Sequence, residues 1–383
     1  MDYNINFYAV GQGLFSSGHI GNFNFVYDCG TVSSQKLIKT QIDIAFKRNM
    51  KGNRTIDLLV ISHFDKDHIS GLDHLLKTYK VKTILLPYVD LPHRLFLAFS
   101  HKIGVRSEIM GFFTNPEEYL SIKYENKIEN IIFIPPSNTD EIVREEEFYL
   151  NKISFENITN NNRVYTLKPK SALIIKDMFQ FIPYNDASIN PKLTKRFIKM
   201  VNHEKYGIEN SNNSTNYQLR ITTIRDLFDE EFGNNAQSRN IISLFLYISP
   251  MHSSSYKIRG YQNCYTEQRY KDIHFKVFSH DRKKNAILYT GDGYLKELFQ
   301  LNNLVNYIGK DNFEGISCLQ VMHHGAFSCW HNGLAKKINP CISVFSADHT
   351  RKNGHPHSDV FRDFLAFYPM IIDKERGLTL NFH

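Results

Sequence analysis

Five cysteines, Cys29, Cys264, Cys318, Cys329 and Cys341, are scattered through 383 residues with no CxxC pair and no even spacing. Their scarcity excludes a zinc ribbon and a disulfide-stapled scaffold, and it fits a reducing compartment. No segment approaches the roughly 18 consecutive apolar residues of a membrane-spanning helix. The first ten residues, MDYNINFYAV, also lack the basic start, apolar stretch and small-residue cleavage site of a secretion signal. The expectation is a cytoplasmic protein with no membrane partner. No internal repeat, long low-complexity tract or basic block stands out, so nothing in the chain calls for an array or a charged tail.

Hydrophobic residues make up 42% of the chain and charged residues 22%, the balance of a globular protein that buries a core. The net charge of +7 leans toward an anionic partner, either nucleic acid or a phosphorylated small molecule. The length exceeds what one small core needs. It reads as a single domain over 1–383 with insertions at 87–170 and 187–238. In the second insertion, Lys192, Lys195 and Lys199 line one face of an expected helix, as a phosphate-contacting stripe or as a solvated face.

Apolar patterning gives an α/β rhythm. Residues 4–10 and 23–28 read as paired strands joined by a glycine-rich turn, 35–48 as a helix, and 56–61 as a short strand buried on both faces. Ile69, Leu72, Leu75 and Leu76 then recur at helical spacing, and 81–86 reads as a further strand. Strand signals return at 172–183, 240–248 and 273–279. In the last third, one strand runs from Ala286 toward Asp292, one from Ile316 toward His323 and His324, and one from Cys341 toward a loop with His355 and His357. Three strands thus end in side chains able to bind a metal, at the carboxyl ends where α/β proteins place their chemistry.

The densest cluster is His63-Phe64-Asp65-Lys66-Asp67-His68. Alternation along an extended loop directs His63, Asp65 and Asp67 to one side, and His68 follows as a helix begins. Burying such a cluster is costly unless a cation compensates it. Mixed imidazole and carboxylate donors suit zinc, manganese or iron. Taken alone, the cluster also fits a solvated helix start with Asp67 on the helix dipole, and the TGD at 290–292 a turn with Asp292 as an N-cap.

These residues resemble the HxHxDH signature of the metallo-β-lactamase superfamily, with Asp65 where most members have histidine. Within it the chain is most similar to the nuclease-like domain of ComEC-type competence proteins, on six motifs in the same order. They are VGQG at 10–13, HxDxDH at 63–68, NxxSL at 240–244, TGD at 290–292, HHG at 323–325 and GHP at 354–356. The DCG turn at 28–30 is similar to the superfamily's early D-x-G element, with Asp28 as a turn residue or a hydrogen-bonding support for the ligands. Leu14, Ala326 and the Ser346-Ala347-Asp348-His349 loop depart from the pattern, which leaves the substrate open.

The resemblance implies an αββα four-layer sandwich with a dinuclear site for two divalent metal ions, zinc or manganese. His63, Asp65, Asp67, His68, Asp292 and His355 are the implied metal ligands, with Asp292 as bridge. Asp67 and His324 are the expected catalytic residues, His324 as ligand or as acid. The expected activity is a phosphodiesterase or nuclease that cleaves DNA or RNA with a metal-bound hydroxide. The alternatives are hydrolysis of a small ester, lactone or nucleotide, and a defence effector controlled by a protein partner encoded nearby.

Overall fold

The apolar run at 56–61 is a strand with two buried faces. Thr55–Val60 turns Leu58 and Val60 to one side, while Leu59 and the following Ile61 face the other, and all four are fully buried. In the computed structural model, the described residues are 2–49, 54–137, 147–149, 164–175, 177–189, 192–209, 215–233, 242–252, 257–266, 269–277, 284–350 and 354–383. Among them, two β-sheets stack face to face, each with helices on its outer side.

The first sheet runs in the order Arg269–Val277, Ile258–Thr266, Arg376–Phe382, Tyr3–Phe7, Phe15–Ile20, Phe23–Cys29, Thr55–Val60, Lys80–Pro87, Ile128–Ile134 and Val164–Thr166. It is antiparallel up to Phe23–Cys29 and parallel from there on. The second runs Pro369–Ile372, Ile342–Ser346, Ile316–Gln320, Ala286–Tyr289, Leu244–Pro250, Phe179–Asn185, Ala172–Ile175 and Glu147–Tyr149. Its first four strands are mutually parallel.

Three hydrophobic layers hold the stack together. Between the sheets lie Phe25, Tyr27, Leu58, Val60, Phe181, Leu246 and Tyr289. Outside the first sheet, Ile38 and Ile42 of helix Gln35–Asn49, Leu75 and Leu76 of helix Leu72–Thr78, and Phe96 of helix Leu91–Ser100 cover Leu59 and Ile84. Outside the second, Leu301 and Leu304 of helix Leu298–Ile308 and Val360 of helix Ser358–Asp363 cover Leu288 and Leu319. This is the αββα arrangement the resemblance implied.

The expected pairing of 4–10 with 23–28 is corrected. Phe15–Ile20 lies between them and pairs with both. Its FSSGHI sequence hides the strand because polar residues occupy buried positions. Ser16 Oγ donates to the Asn6 carbonyl at 2.8 Å, Ser17 Oγ lies 2.7 Å from Tyr8 Oη, and the Phe25 ring fills the space a side chain on Gly18 would need. The signal at 273–279 belongs to a hairpin of Ile258–Thr266 and Arg269–Val277. Arg376–Phe382, which carried no sequence signal, joins that hairpin to Tyr3–Phe7.

Helices Lys195–Glu209 and Thr215–Phe232 pack on each other and on Leu91–Ser100, through Phe197, Phe228 and Phe96. Lys192, Lys195 and Lys199 are all exposed. Within 87–170, Ile128–Ile134 and Val164–Thr166 continue the first sheet. No helix among the described residues is long and apolar enough to cross a membrane.

Candidate metal centre

Parallel strands of both sheets end at one edge, and their loops meet there. After Ile61 the chain leaves the first sheet as Ser62-His63-Phe64-Asp65 and enters helix Lys66–Ile69. Phe64 is buried in the helix-side core, while its neighbours His63 and Asp65 bring Nε2 and Oδ2 to 4.0 Å of each other. Asp65 stands at the N-cap with extended backbone, yet its carboxylate makes no capping hydrogen bond. A solvated helix start would use that bond.

Asp292 also is no N-cap. It is fully buried, six residues before helix Leu298–Ile308, and four imidazoles converge on it. His68 Nε2 lies 3.1 Å and His324 Nε2 3.5 Å from its Oδ1. His323 Nε2 lies 3.4 Å and His63 Nε2 3.6 Å from its Oδ2. Each oxygen therefore faces a different pair of rings. The aspartate backbone N–H is held by Ser243 Oγ at 3.0 Å, and a Cβ on Gly291 would fall 2.4 Å from the same oxygen.

The other nitrogen of each ring is tied outward. His68 Nδ1 sits 2.7 Å from Asp28 Oδ2, and Asp28 also accepts the Ser62 backbone N–H at 2.7 Å and its hydroxyl at 2.6 Å. His63 Nδ1 lies 2.9 Å from Ser62 Oγ, His324 Nδ1 2.5 Å from the Ser346 carbonyl, and His323 Nδ1 3.3 Å from Cys329 Sγ. An Nδ1–H that donates outward leaves a lone pair on Nε2, aimed inward.

Among the described residues, two donor groups result. Asp67, His68, Asp292 and His324 each place one donor atom within 4.8 Å of the others, and so do His63, Asp65 and Asp67. Asp67 belongs to both. The Nε2 atoms of His63 and His68 are buried without a hydrogen-bond partner. Lone pairs that face carboxylate oxygens repel them unless a proton or a metal ion lies between. The donor set thus fits a divalent cation.

Without metal, protons fill that role. Burial alone would push Asp292 up, but the rings of His323, His68, His324 and His63 hold it well below the usual carboxylate range. Burial likewise works against protonation of His68, and Asp292 and Asp28 override it, so its pKa is raised. His324 is raised in the same way by Asp292 and Asp67. His355 goes the other way: burial, with His324 and His323 beside it, brings it down to about 4.

Strained backbone surrounds the cluster. His323, His324 and Gly325 follow one another at φ of 44°, 56° and 85°, and Asp28 has φ of 55°. For a residue with a Cβ this conformation costs about 1–3 kcal/mol. Here it turns both adjacent rings toward one carboxylate. Sequence reading gave the role to His324; the structure adds His323.

His63, Asp65, Asp67, His68, Asp292 and His324 are brought together. His355 lies beside them, its ring centroid 5.7 Å from that of His323 and 6.4 Å from that of His324, outside both donor groups. Asn240 of the NxxSL motif lies outside the described residues. Ser62, Cys329 and the Ser346 carbonyl were not recognised as supports, because nothing local marks a residue whose partner arrives from another loop.

Residues 17–148, which contain Asp28 and the His63 to His68 cluster, match the metallo-beta-lactamase superfamily. Among solved structures, the chain is similar to the metallo-beta-lactamase fold protein YhfI from Bacillus subtilis, at 9% identity and a TM-score of 0.38 over 98% of this chain and 99% of that one. No curated protein matches it.

Asp28 gives a direct test of the outward tethers. Asp28→Asn keeps the shape but removes the charge and one of the acceptors that fix His68 and Ser62. Metal affinity is expected to fall about 10- to 100-fold, as measured by competitive titration against a chelating dye. Unchanged affinity would show that the His68 ring needs no such anchor.

Proposed function

We propose that this protein is a metal-dependent phosphodiesterase that cleaves DNA or RNA, with His63, Asp65, Asp67, His68 and Asp292 as ligands for two divalent ions. The observation that carries the reading is Asp292, whose two oxygens face separate histidine pairs. A carboxylate so placed suits a bridge between two ions. His324 shares a donor group with Asp67, His68 and Asp292, which supports a ligand role over that of an acid. His355 as a further ligand rests on the GHP motif alone. The donors include three aspartates, which favours manganese, while the imidazoles keep zinc in contention.

Ions at such a centre supply Lewis acidity toward an ester oxygen and lower the pKa of water, the chemistry of hydrolysis. The chain's own part is to fix the donors before substrate arrives. Asp28 and Ser62 lock His68 and His63, the Ser346 carbonyl locks His324, and Ser243 holds the Asp292 backbone. The net charge of +7 favours an anionic substrate.

A cavity of about 430 Å³ favours a second reading, hydrolysis of a small ester, lactone or nucleotide. It lies against the metal loop and is lined by Phe64, Ile69, Ile103, Phe112, Phe113 and Tyr119. Apolar walls suit a compact substrate better than a sugar-phosphate backbone.

Elemental mass spectrometry on wild type and Asp67→Asn, run beside cleavage assays on single- and double-stranded DNA and RNA with added manganese, tests both. Roughly two ions per wild-type chain, with cleavage lost in Asp67→Asn, supports the phosphodiesterase. Metal without polymer cleavage moves the small-ester reading forward. No metal after reconstitution removes the hydrolase reading altogether.

A further inference from the structure

His101 carries no motif, yet it reaches the centre. It ends helix Leu91–Ser100 as the C-cap, its backbone N–H bonded to the carbonyls of Leu97 and Phe99. Leu95, Phe96, Leu97 and Phe99 of that helix are buried in the helix-side core, so the position of its last residue is set by packing. From there the ring places Nε2 2.7 Å from Asp65 Oδ1. This nitrogen is buried, and it lies off the line of a regular hydrogen bond. The other Asp65 oxygen, Oδ2, faces His63.

Asp65 is the position where this chain departs from the histidine of the HxHxDH pattern. A carboxylate has two oxygens, and only one is needed toward the centre. Its outer oxygen faces His101, which itself lines the neighbouring cavity with Phe64, Ile103, Phe112 and Phe113, and a largely buried anion is costly without a donor. The 13% exposure of the Asp65 side chain gives water little room to serve. Within the described residues, His101 forms no donor group with His63 and Asp67, so its place is behind Asp65.

We propose, on the metal-centre reading above, that His101 is the positioning residue for Asp65. The approach of its Nε2 to within 2.7 Å of Oδ1 fixes that oxygen and leaves Oδ2 for an ion at the His63 side. Histidine-to-carboxylate contacts of this kind orient metal ligands, and their loss typically weakens binding about 10- to 100-fold. An imidazole delivered from a helix 36 residues along the chain thereby supports the aspartate that replaces the usual imidazole.

The test is a manganese titration followed by electron paramagnetic resonance of the free ion, together with melting curves of the metal-free proteins. His101→Leu is expected to weaken one manganese site about 10- to 100-fold and to leave the metal-free melting temperature near that of wild type. His101→Gln, which keeps an N–H donor, should recover most of the loss. In an Asp65→Asn background, His101→Leu should add nothing further. Wild-type affinity in His101→Leu overturns the proposal, as does an equal loss in the Asp65→Asn background or a matching fall in metal-free melting temperature. If wild type itself binds neither manganese nor zinc, the metal-centre reading fails, and this proposal with it.

Discussion

Asp292→Asn is expected to empty the centre of metal and to destabilise the metal-free protein as well. The substitution keeps the volume of a side chain with essentially no exposure, so packing is preserved and the change is electrostatic. It removes the one negative charge that faces His63, His68, His323 and His324 together. In metal-free protein, His68 and His324 are raised toward the protonated form largely by this carboxylate. Breaking a buried charge pair by removing one partner costs about 3–5 kcal/mol. A loss of that size in ion binding would correspond to at least a hundredfold drop in affinity, about 2.7 kcal/mol. Metal content by elemental mass spectrometry and chelator-treated melting curves check the two parts separately. An asparagine variant with wild-type metal content would mean that Asp292 is not a metal ligand.

The second large effect is expected from Gly30→Ala. A Cβ there would lie 2.4 Å from the His68 backbone nitrogen and 2.5 Å from the Asp67 carbonyl carbon. Both contacts are main chain, so no side-chain rotation relieves them, and the strand end and the metal loop must move apart. The loop is tied to the same strand end by the bond from the Leu14 N–H to the Asp67 carbonyl and by that from the Gly71 N–H to the Cys29 carbonyl. Overpacking of this kind costs about 1–3 kcal/mol, occasionally more, and the displacement carries Asp67 and His68 away from Asp292. A drop of about 3 kcal/mol in urea unfolding, with metal binding lost, is the expected outcome. Gly104→Ala serves as control, because a Cβ there meets nothing within 4 Å. If the two variants behave alike, close approach at Gly30 is not what holds the loop.

Much of this was legible in the chain itself. Thr55–Val60 and Ala286–Tyr289 announce themselves because a strand buried on both faces is mostly apolar, as Ile56, Leu58, Leu59 and Val60 are, and strand ends are marked where polar donors begin. The HxDxDH donors are legible because they lie within six residues, but extended alternation accounts only for His63 and Asp65, since Asp67 and His68 sit in helix Lys66–Ile69. Phe15–Ile20 was not legible, because its buried serines are satisfied by Asn6 and Tyr8, partners that only sheet pairing supplies. Nor was His323, whose ring faces Asp292 only because its backbone adopts a left-handed conformation that sequence does not favour.

The sequence by itself determined the local elements and the identity of the nearby donors. Those depend on periodicity and on spacings of a few residues, which the covalent chain enforces directly. Tertiary structure decided which atoms meet. Asp28 reaches His68 across 40 residues, Ser243 reaches Asp292 across 49, and His324 reaches Asp67 across 257. Such partnerships follow from strand register and from the stacking of two sheets, and a shift of one residue in either would turn the same side chains away. That is why six donors could be named from the chain, while the pair of rings facing each Asp292 oxygen, the ring tethers and the approach of His101 could be read only from the fold.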